Sequence, residues 1–475
     1  MLEFGDTIPS GSTLHADIAV FGAGAAGIAF AREFLDSNQK LLLVESGDRV
    51  PDSTIQSLYD GKTIGSPYPL SGSRSRQFGG STNCWAGLVA RLDPIDFEKR
   101  NYIPHSGWPI HYDELVPFYE RAESLLQAND GSLDAFSDAP FSPITFSEKL
   151  RTKIYQWRPK RFLDFLSDFE RSRQIRLVLR SNVVALHLNG DKWSIDSVTV
   201  KTLDGNTFRA VANRYVLALG ALENARLLLS SATEDWPGVG NEYDIVGRFF
   251  MEHPHLDNQL QLMSFDGRFQ GYSGSSDFYP AIALSEETLR TERLCNSAFF
   301  LPVSGSAPSD PWAKRVQTIA TSFGLSSGAE CFPVGIPIEQ IPNPESRVSL
   351  DSERDILGMP MVTLNWQLTP EDLTSLQRTV EILVQEFGAF HVGRFQNSLK
   401  QRSLKNPLGG NHHMGTTRMA TRPQEGVVDR DCKVFGTDNL YVLGSSVFPT
   451  SGAANPTLTI LALAMRLADH LRKNA

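Results

Sequence analysis

The stretch DIAVFGAGAAGIAFAREF, at residues 17–34, decides the fold. Residues 17–23 form an apolar run that ends in a glycine turn, which predicts a buried strand. Residues 25–36 then carry apolar side chains on one face, which predicts a helix. The apolar run LLLVE at 41–45 predicts a second strand. This strand–turn–helix–strand order is typical of a parallel sheet with a right-handed crossover.

The turn GAGAAG places Gly22, Gly24 and Gly27 in the G-x-G-x-x-G spacing. The first glycine suits a tight turn, the second lets the backbone approach a pyrophosphate, and the third lets the helix pack against the sheet. The helix N-terminus, where we also assign Ala25, favours phosphate groups. Glu45 ends the second strand, where a carboxylate can accept hydrogen bonds from ribose hydroxyls. The motif predicts an adenine dinucleotide without separating FAD from NAD, and the alternative is a glycine turn with no ligand.

The strand–glycine–helix pattern recurs later in the chain. A strand at 215–220 (YVLALG) precedes a helix at 221–232, and a strand at 439–444 (NLYVLG) precedes a helix near 456–472. Because the pattern returns at the end of the chain, we predict a discontinuous dinucleotide domain that contains both chain ends.

The other segments differ from this pattern. Residues 51–110 are rich in Gly, Ser and Pro, which predicts a long ordered loop. A helix is predicted at 112–127 and short strands at 175–203. Residues 255–400 contain alternating segments and a helix at 370–388, which together predict an antiparallel sheet with helices.

Composition excludes several classes of protein. The net charge of -9 over 475 residues disfavours binding to nucleic acid or to an anionic membrane surface. No apolar run approaches the roughly 18 residues that suggest a membrane span, and the N-terminus lacks a basic stretch followed by an apolar one. The four cysteines form no CxxC pair, so they predict neither a disulfide framework nor a zinc site. We therefore expect a cytoplasmic enzyme.

Four further motifs follow the glycine turn in order: GGSTNCWAG (79–87), VGRFFMEHP (246–254), HHMGTTRM (412–419) and NLYVLGSSVFPTSGAANPTLTILALA (439–464). Together the five motifs resemble the glucose–methanol–choline (GMC) family of flavin oxidoreductases. The resemblance implies an α/β fold with a doubly wound, Rossmann-like FAD-binding domain and a substrate domain with an antiparallel β-sheet and helices. It also implies FAD as the cofactor.

This resemblance divides the chain into two discontinuous domains. We predict an FAD-binding domain from 1–110, 175–254 and 405–475, and a substrate-binding domain from 111–174 and 255–404.

The resemblance also implies the catalytic residues. The histidine of the family's His-x-x-Gly-Thr motif falls on His412, and the second catalytic position falls on Asn455. A neutral imidazole can take the hydroxyl proton while hydride leaves carbon for flavin N5, and a carboxamide N–H can stabilise the developing alkoxide. His413 is interpreted as supporting or structural. The alternatives are a hydrogen-bonded core histidine at 412 and a turn residue at 455.

The segment GGSTNCWAG contributes Gly79, Gly80, Thr82 and Asn83 to the predicted FAD site, since glycine lets the backbone pass close to a flat ring. Some family members bind flavin covalently through a histidine in this segment. That position is Cys84 here, so we expect dissociable FAD. The thiol lines the flavin face or is buried as a small apolar group.

The remaining predicted contacts lie at strand–helix junctions, and each is also an ordinary turn or cap residue. They are Gly220, Glu223, Gly444, Ser445, Pro456 and Thr457. Arg76 and Arg418 are cations near these motifs, for which a surface role is equally expected. His253 and His255 lack the neighbouring ligands of a metal site, so no metal is predicted.

The predicted function is FAD-dependent oxidation of the CH–OH group of an alcohol, with a sugar or sugar derivative preferred. The electron acceptor is oxygen, a quinone or a redox protein. One alternative is a redox-neutral lyase or isomerase that retains FAD. Another is a nicotinamide dehydrogenase, which only the glycine turn and Glu45 support.

Overall fold

The computed structural model describes most of the chain. The described residues are 1–132, 143–190, 193–255, 260–264, 272, 277–301, 314–315, 318, 321–322, 330–397 and 408–473.

The strands of these residues are, in chain order, β1 Leu2–Phe4, β2 Thr13–Phe21, β3 Leu41–Val44, β4 Gly61–Thr63, β5 Leu88–Val89, β6 Leu150–Trp157, β7 Ile175–Leu179, β8 Asn182–Leu188, β9 Ile195–Lys201, β10 Thr207–Leu217, β11 Pro254–His255, β12 Leu260–Ser264, β13 Phe278–Leu284, β14 Ala298–Phe299, β15 Glu330–Pro333, β16 Arg347–Arg354, β17 Pro360–Asn365, β18 Arg394–Asn397, β19 Leu408–Gly409 and β20 Leu440–Val442. The α-helices are α1 Ala25–Arg32, α2 Ser53–Ser57, α3 Pro94–Phe97, α4 Tyr112–Leu126, α5 Leu166–Arg171, α6 Ala221–Leu229, α7 Glu286–Glu292, α8 Pro370–Ala389 and α9 Thr457–Lys473.

The main sheet has eight strands in the order β1-β7-β3-β2-β10-β9-β8, and β20 also pairs with β10. Strands β1, β7, β3, β2, β10 and β20 are parallel, whereas β8 and β9 add an antiparallel edge. The residues of β3 and the last four of β2 are buried, as expected for strands that are covered on both faces. This largely parallel sheet with helices confirms the predicted α/β fold class.

Helix boundaries follow local signals. Helix α4 begins at a capping box formed by His111 and Glu114. Helix α8 begins at a capping box formed by Thr369 and Asp372, with Pro370 in its first turn. Both helices match their predicted ranges. The predicted helix at 25–36 is shorter, because α1 ends in a turn after Arg32.

The predicted loop at 51–110 is partly wrong, because it contains α2, α3, β4 and β5. Their strand pairs explain the error. Strand β4 pairs with β17 and β5 pairs with β6, so partners distant in sequence create short strands that no local pattern indicates.

Two large hydrophobic cores organise the described residues. The first surrounds the main sheet and includes Val348, Leu364 and Trp366. The second contains Leu262, Leu284 and other side chains from β12, β13 and α8. The pairing of β4 with β17 joins segments that the sequence assigned to different domains. The predicted domain division remains a prediction, and its boundary at 404–405 lies outside the described residues.

A buried ion pair connects these segments. Arg100 and Glu339 form a bidentate pair with side-chain exposures of 2% and 0%, and one of its two hydrogen bonds measures 2.8 Å. Glu339 also accepts the Asn296 N–H. A second pair, Arg290 with Glu98, joins the same parts of the chain but is 42% and 48% exposed.

These two pairs make a matched test of burial. Arg100→Ala leaves a buried carboxylate without its cation and should lower the free energy of unfolding by about 3–5 kcal/mol. Arg290→Ala should change it by less than about 1 kcal/mol, because water solvates that pair. Urea denaturation measures both variants. Equal losses would contradict the buried position of Arg100.

Candidate active site

A cavity of about 690 Å³ lies at the carboxyl ends of the parallel strands. Its lining includes the residues that immediately follow β2, β3, β10 and β20. Parallel strands place their carboxyl ends at one edge, which is where open α/β sheets bind ligands.

Most of the predicted site residues line this cavity. They are Gly22, Gly24, Ala25, Glu45, Gly80, Thr82, Cys84, Gly220, Glu223, His412, Gly444, Ser445, Asn455, Pro456 and Thr457. The predicted residues that do not line it are Gly27, Gly79 and Asn83. The Gly79 N–H donates to Ala23 O at 2.8 Å, and Asn83 Nδ2 donates to Phe78 O at 2.8 Å. Gly79 and Asn83 therefore stabilise the backbone of the segment GGSTNCWAG and do not face the cavity.

The glycine turn requires close backbone packing. A Cβ on Gly27 would lie 1.9 Å from Gly22 O, and a Cβ on Gly22 would lie 2.5 Å from Ala218 O. Gly22 also has a φ of 101°, a region that favours glycine. A Cβ on Gly80 would lie 2.9 Å from the Gly24 Cα, so the two glycine segments are in contact. Gly24 itself lies at the cavity wall.

Several helix N-termini open onto the cavity, among them those of α1, α6 and a 3₁₀ helix. Gly24 caps α1, Gly220 caps α6, and Gly444 caps the 3₁₀ helix Ser445–Val447, each without a side-chain cap bond. Among the described residues, nothing lies within 4 Å of a Cβ built on Gly220 or Gly444. Free N–H groups and positive helix ends favour phosphate, so this lining fits the diphosphate of FAD.

Glu45 has more protein partners than the sequence suggested. One carboxylate oxygen accepts the Ala23 N–H at 2.7 Å and the other accepts the Gly47 N–H at 2.9 Å. The carboxylate therefore fixes the glycine turn as well as lining the cavity. Its predicted contact with a ribose must use its remaining lone pairs.

Glu223 lies in a cluster of three arginines. Its oxygens accept hydrogen bonds from Arg74 at 2.9 Å, Arg76 at 3.0 Å and Arg226 at 3.2 Å. Burial alone would raise the pKa of Glu223, but these cations lower it to about 2. Arg74 and Arg76 also lie over the Tyr59 ring. Arg76 thus belongs to the cavity wall and not to the surface.

His412, which also lines the cavity, contacts both Asn455 and His253. Asn455 Nδ2 lies 3.3 Å from His412 Nε2, and His253 Nδ1 lies 2.9 Å from His412 Nδ1. The two imidazole rings are at 82° to each other. The structure therefore brings together the two predicted catalytic residues, although 43 positions separate them in sequence.

The buried carboxylate of Glu252 holds the backbone around this contact. One of its oxygens accepts hydrogen bonds from the backbone N–H of His412 at 2.9 Å and from the Tyr68 O–H. The other accepts the N–H groups of His253 at 2.9 Å and Gly410 at 3.0 Å. Burial raises the pKa of Glu252, and the Tyr68 hydroxyl and the three backbone N–H groups oppose this rise. The resulting pKa is about 7.

His413 has its own partner. Its Nε2 lies 2.7 Å from the Tyr68 hydroxyl oxygen. Because Tyr68 donates its proton to Glu252, this oxygen accepts from His413. The contact supports the predicted structural role of His413.

Burial lowers the pKa of each of these histidines. The pKa of His253 falls to about 4 and that of His413 to about 3, with burial as the largest cause in both. The pKa of His412 lies well below 6.5, because burial and the neighbouring His253, His255 and His413 disfavour a positive charge. All three imidazoles are therefore neutral near pH 7.

Some interpretations need correction or addition. Cys84 is exposed at the cavity, so its alternative role as a buried thiol is wrong. Arg418 is buried away from the cavity lining, where it donates to His105 O. No motif indicated a role for Tyr68 or Glu252, and His253 was considered only as a metal ligand. The available signal was the motif MEHPH, in which Glu252 directly precedes the histidine pair His253 and His255.

The chain is similar to a known family and to several known proteins. The profile of the GMC oxidoreductase family matches residues 342–464. The chain is 37% identical to a C-glycoside 3-oxidase of Microbacterium trichothecenolyticum, over 84% of this chain and 75% of that protein. It is 24% identical to a 2-methyl-1,2-propanediol dehydrogenase of Mycolicibacterium austroafricanum, over 97% and 95%. The structure of a formate oxidase superposes with a TM-score of 0.63 at 16% identity, over 98% of this chain and 99% of that one.

Two alanine variants separate packing from cofactor binding. Gly27→Ala forces a Cβ against Gly22 O and should lower the free energy of unfolding by about 1–3 kcal/mol or more. Gly24→Ala has more space, since its Cβ would lie 3.9 Å from Gly80 Cα. It should keep its stability in saturating FAD but bind FAD about tenfold more weakly. Thermal melts and FAD titration measure these effects, and identical melts for both variants would refute the packing argument.

Proposed function

Because this chain belongs to the GMC oxidoreductase family, whose members bind FAD and oxidise alcohols or sugars, we propose that it oxidises a CH–OH group of a sugar ring with His412 as the base. The observation that carries the proposal is the 3.3 Å contact between His412 and Asn455 at the wall of the cavity.

Each residue has a distinct part in the proposed reaction. FAD, when bound, accepts the two electrons and the hydrogen that leave carbon as hydride. His412 takes the hydroxyl proton, and its lowered pKa keeps the imidazole neutral and able to do so. Asn455 Nδ2 donates a hydrogen bond to the alcohol oxygen as negative charge develops there.

The sugar substrate is supported by the relatives. A C-glycoside 3-oxidase is 37% identical to this chain, and a fructose dehydrogenase large subunit of Gluconobacter japonicus is 23% identical over 97% of it. We propose a glycoside as the first substrate to test. The electron acceptor would be oxygen, a quinone or a redox protein.

Anaerobic mixing with a panel of glycosides, free sugars and alcohols tests the proposal. A substrate should bleach the flavin absorbance, because its electrons move to FAD. A redox-neutral lyase or isomerase would convert the substrate and leave the flavin oxidised, which would contradict the proposal.

His412→Ala should retain FAD, but the substrate should reduce the flavin about 10²- to 10⁴-fold more slowly, because the base is lost. The rate of flavin reduction should fall much less in His413→Ala, since the Nε2 of His413 contacts Tyr68 and has a structural role. The control is His187→Ala, whose imidazole bonds Thr199 within the main sheet and should leave reduction unchanged. Rapid-mixing absorbance measures each rate. Near-normal reduction by His412→Ala would remove this residue from the mechanism.

The pH dependence follows from the lowered pKa of His412. The base must be unprotonated, so the rate of flavin reduction is lost as pH falls through the pKa of His412. Burial and the nearby His253, His255 and His413 place that pKa below 6.5, so the rate should stay level from pH 8 to about 6.5. Reduction rates measured from pH 5 to 8 test this. A decline of the reduction rate centred near pH 7 would instead point to Glu252, because its pKa is about 7 and its carboxylate accepts a hydrogen bond from the backbone N–H of His412.

A further inference from the structure

The imidazole of His253 contacts His412, and both of its ring nitrogens have a partner in the protein. It is completely buried. Its Nε2 faces two backbone carbonyl oxygens, Gly452 O at 2.9 Å and Ser451 O at 3.4 Å. Its Nδ1 faces His412 Nδ1 at 2.9 Å. A carbonyl oxygen can only accept a hydrogen bond, so Nε2 of His253 carries a proton.

This assignment determines the proton on the next ring. Burial lowers the pKa of His253 to about 4, so its imidazole is neutral and holds a single N–H proton. With that proton on Nε2, Nδ1 of His253 is an acceptor. The 2.9 Å contact then requires a proton on Nδ1 of His412, and Nε2 of His412 carries a lone pair.

The opposite arrangement is unfavourable. If His412 carried its proton on Nε2, His253 would have to donate from Nδ1. The Nε2 lone pair of His253 would then face two carbonyl oxygens inside the protein, which leaves buried acceptors without a donor.

The position of the Gly452 carbonyl is itself fixed. Gly452 has a φ of 56°, and a Cβ there would lie 2.6 Å from Asp96 Oδ2. Glycine therefore lets this backbone pass against a buried carboxylate, and the carbonyl remains directed at His253.

We propose that His253 is a positioning residue that holds the proton of His412 on Nδ1 and so leaves Nε2 free to accept the substrate proton. The inference rests on the proposed role of His412 as base. It adds a chain of contacts, Gly452 O to His253 to His412, that selects the active tautomer before any substrate binds.

Two substitutions separate the two contacts of His253. In His253→Asn the side-chain oxygen reaches about as far as Nδ1 did, so an acceptor still faces His412. In His253→Gln the amide reaches about as far as Nε2 did, so it donates to Gly452 O and the acceptor near His412 is lost. Both variants are polar and buried, and equal FAD content would show that both fold.

The first readout needs no substrate. Protein labelled with ¹⁵N-histidine and loaded with FAD is compared by NMR, and the signals of His412 are identified by their loss in His412→Ala. We expect the Nδ1-protonated form in the wild type and in His253→Asn, and a detectable Nε2-protonated form in His253→Gln. An Nε2-protonated His412 in the wild type, or an unchanged tautomer in His253→Gln, would overturn the proposal.

The second readout is the rate of flavin reduction at saturating substrate under anaerobic conditions. His253→Gln should reduce this rate by about tenfold or more and leave substrate affinity nearly unchanged, while His253→Asn should lose much less. Equal losses in the two variants would assign His253 a purely structural role. Normal reduction by His412→Ala would refute the proposed role of His412 as the base, while the NMR result would still decide the tautomer.

Discussion

Parallel pairing of β2, β10 and β20 is the constraint on which the site depends. Hydrogen bonds between these strands set their carboxyl ends side by side, so Gly22, Gly220 and Gly444 lie at one edge although they are far apart in sequence. Gly220 and Gly444 each cap a helix there, and Gly24, two residues after Gly22, caps α1. The sheet thus places several helix N-termini at one edge, an arrangement whose backbone N–H groups favour phosphate.

The part of the cavity around His412 depends on a different kind of contact. Glu252 binds backbone N–H groups from two segments and fixes His253 and His412 relative to each other. A buried carboxylate is costly unless donors surround it, and here its two oxygens have four. The four hydrogen bonds offset part of the cost of burying this carboxyl group, and they also hold the backbone at the proposed base.

Charge is distributed unevenly along the cavity. Arginines surround Glu223, whereas neutral imidazoles and a carboxamide surround the proposed base. A neutral imidazole suits proton abstraction from an alcohol, because a ring nitrogen holds a lone pair that can accept the hydroxyl proton. The cluster at Glu223 instead gives a fixed, fully ionised wall.

The sequence by itself indicated the glycine turn and the strand–glycine–helix segments that build the main sheet, because the spacing of apolar residues and glycines reports local backbone geometry. The choice of His412 and Asn455 came instead from the resemblance of their motifs to the GMC family. Only the tertiary structure decided that His253 contacts His412 across 159 positions, that Glu252 bonds Tyr68, and that Glu223 meets Arg74 and Arg76. It also revealed the short strands β4 and β5. Such contacts depend on how distant segments pack against each other, and no local periodicity encodes that packing.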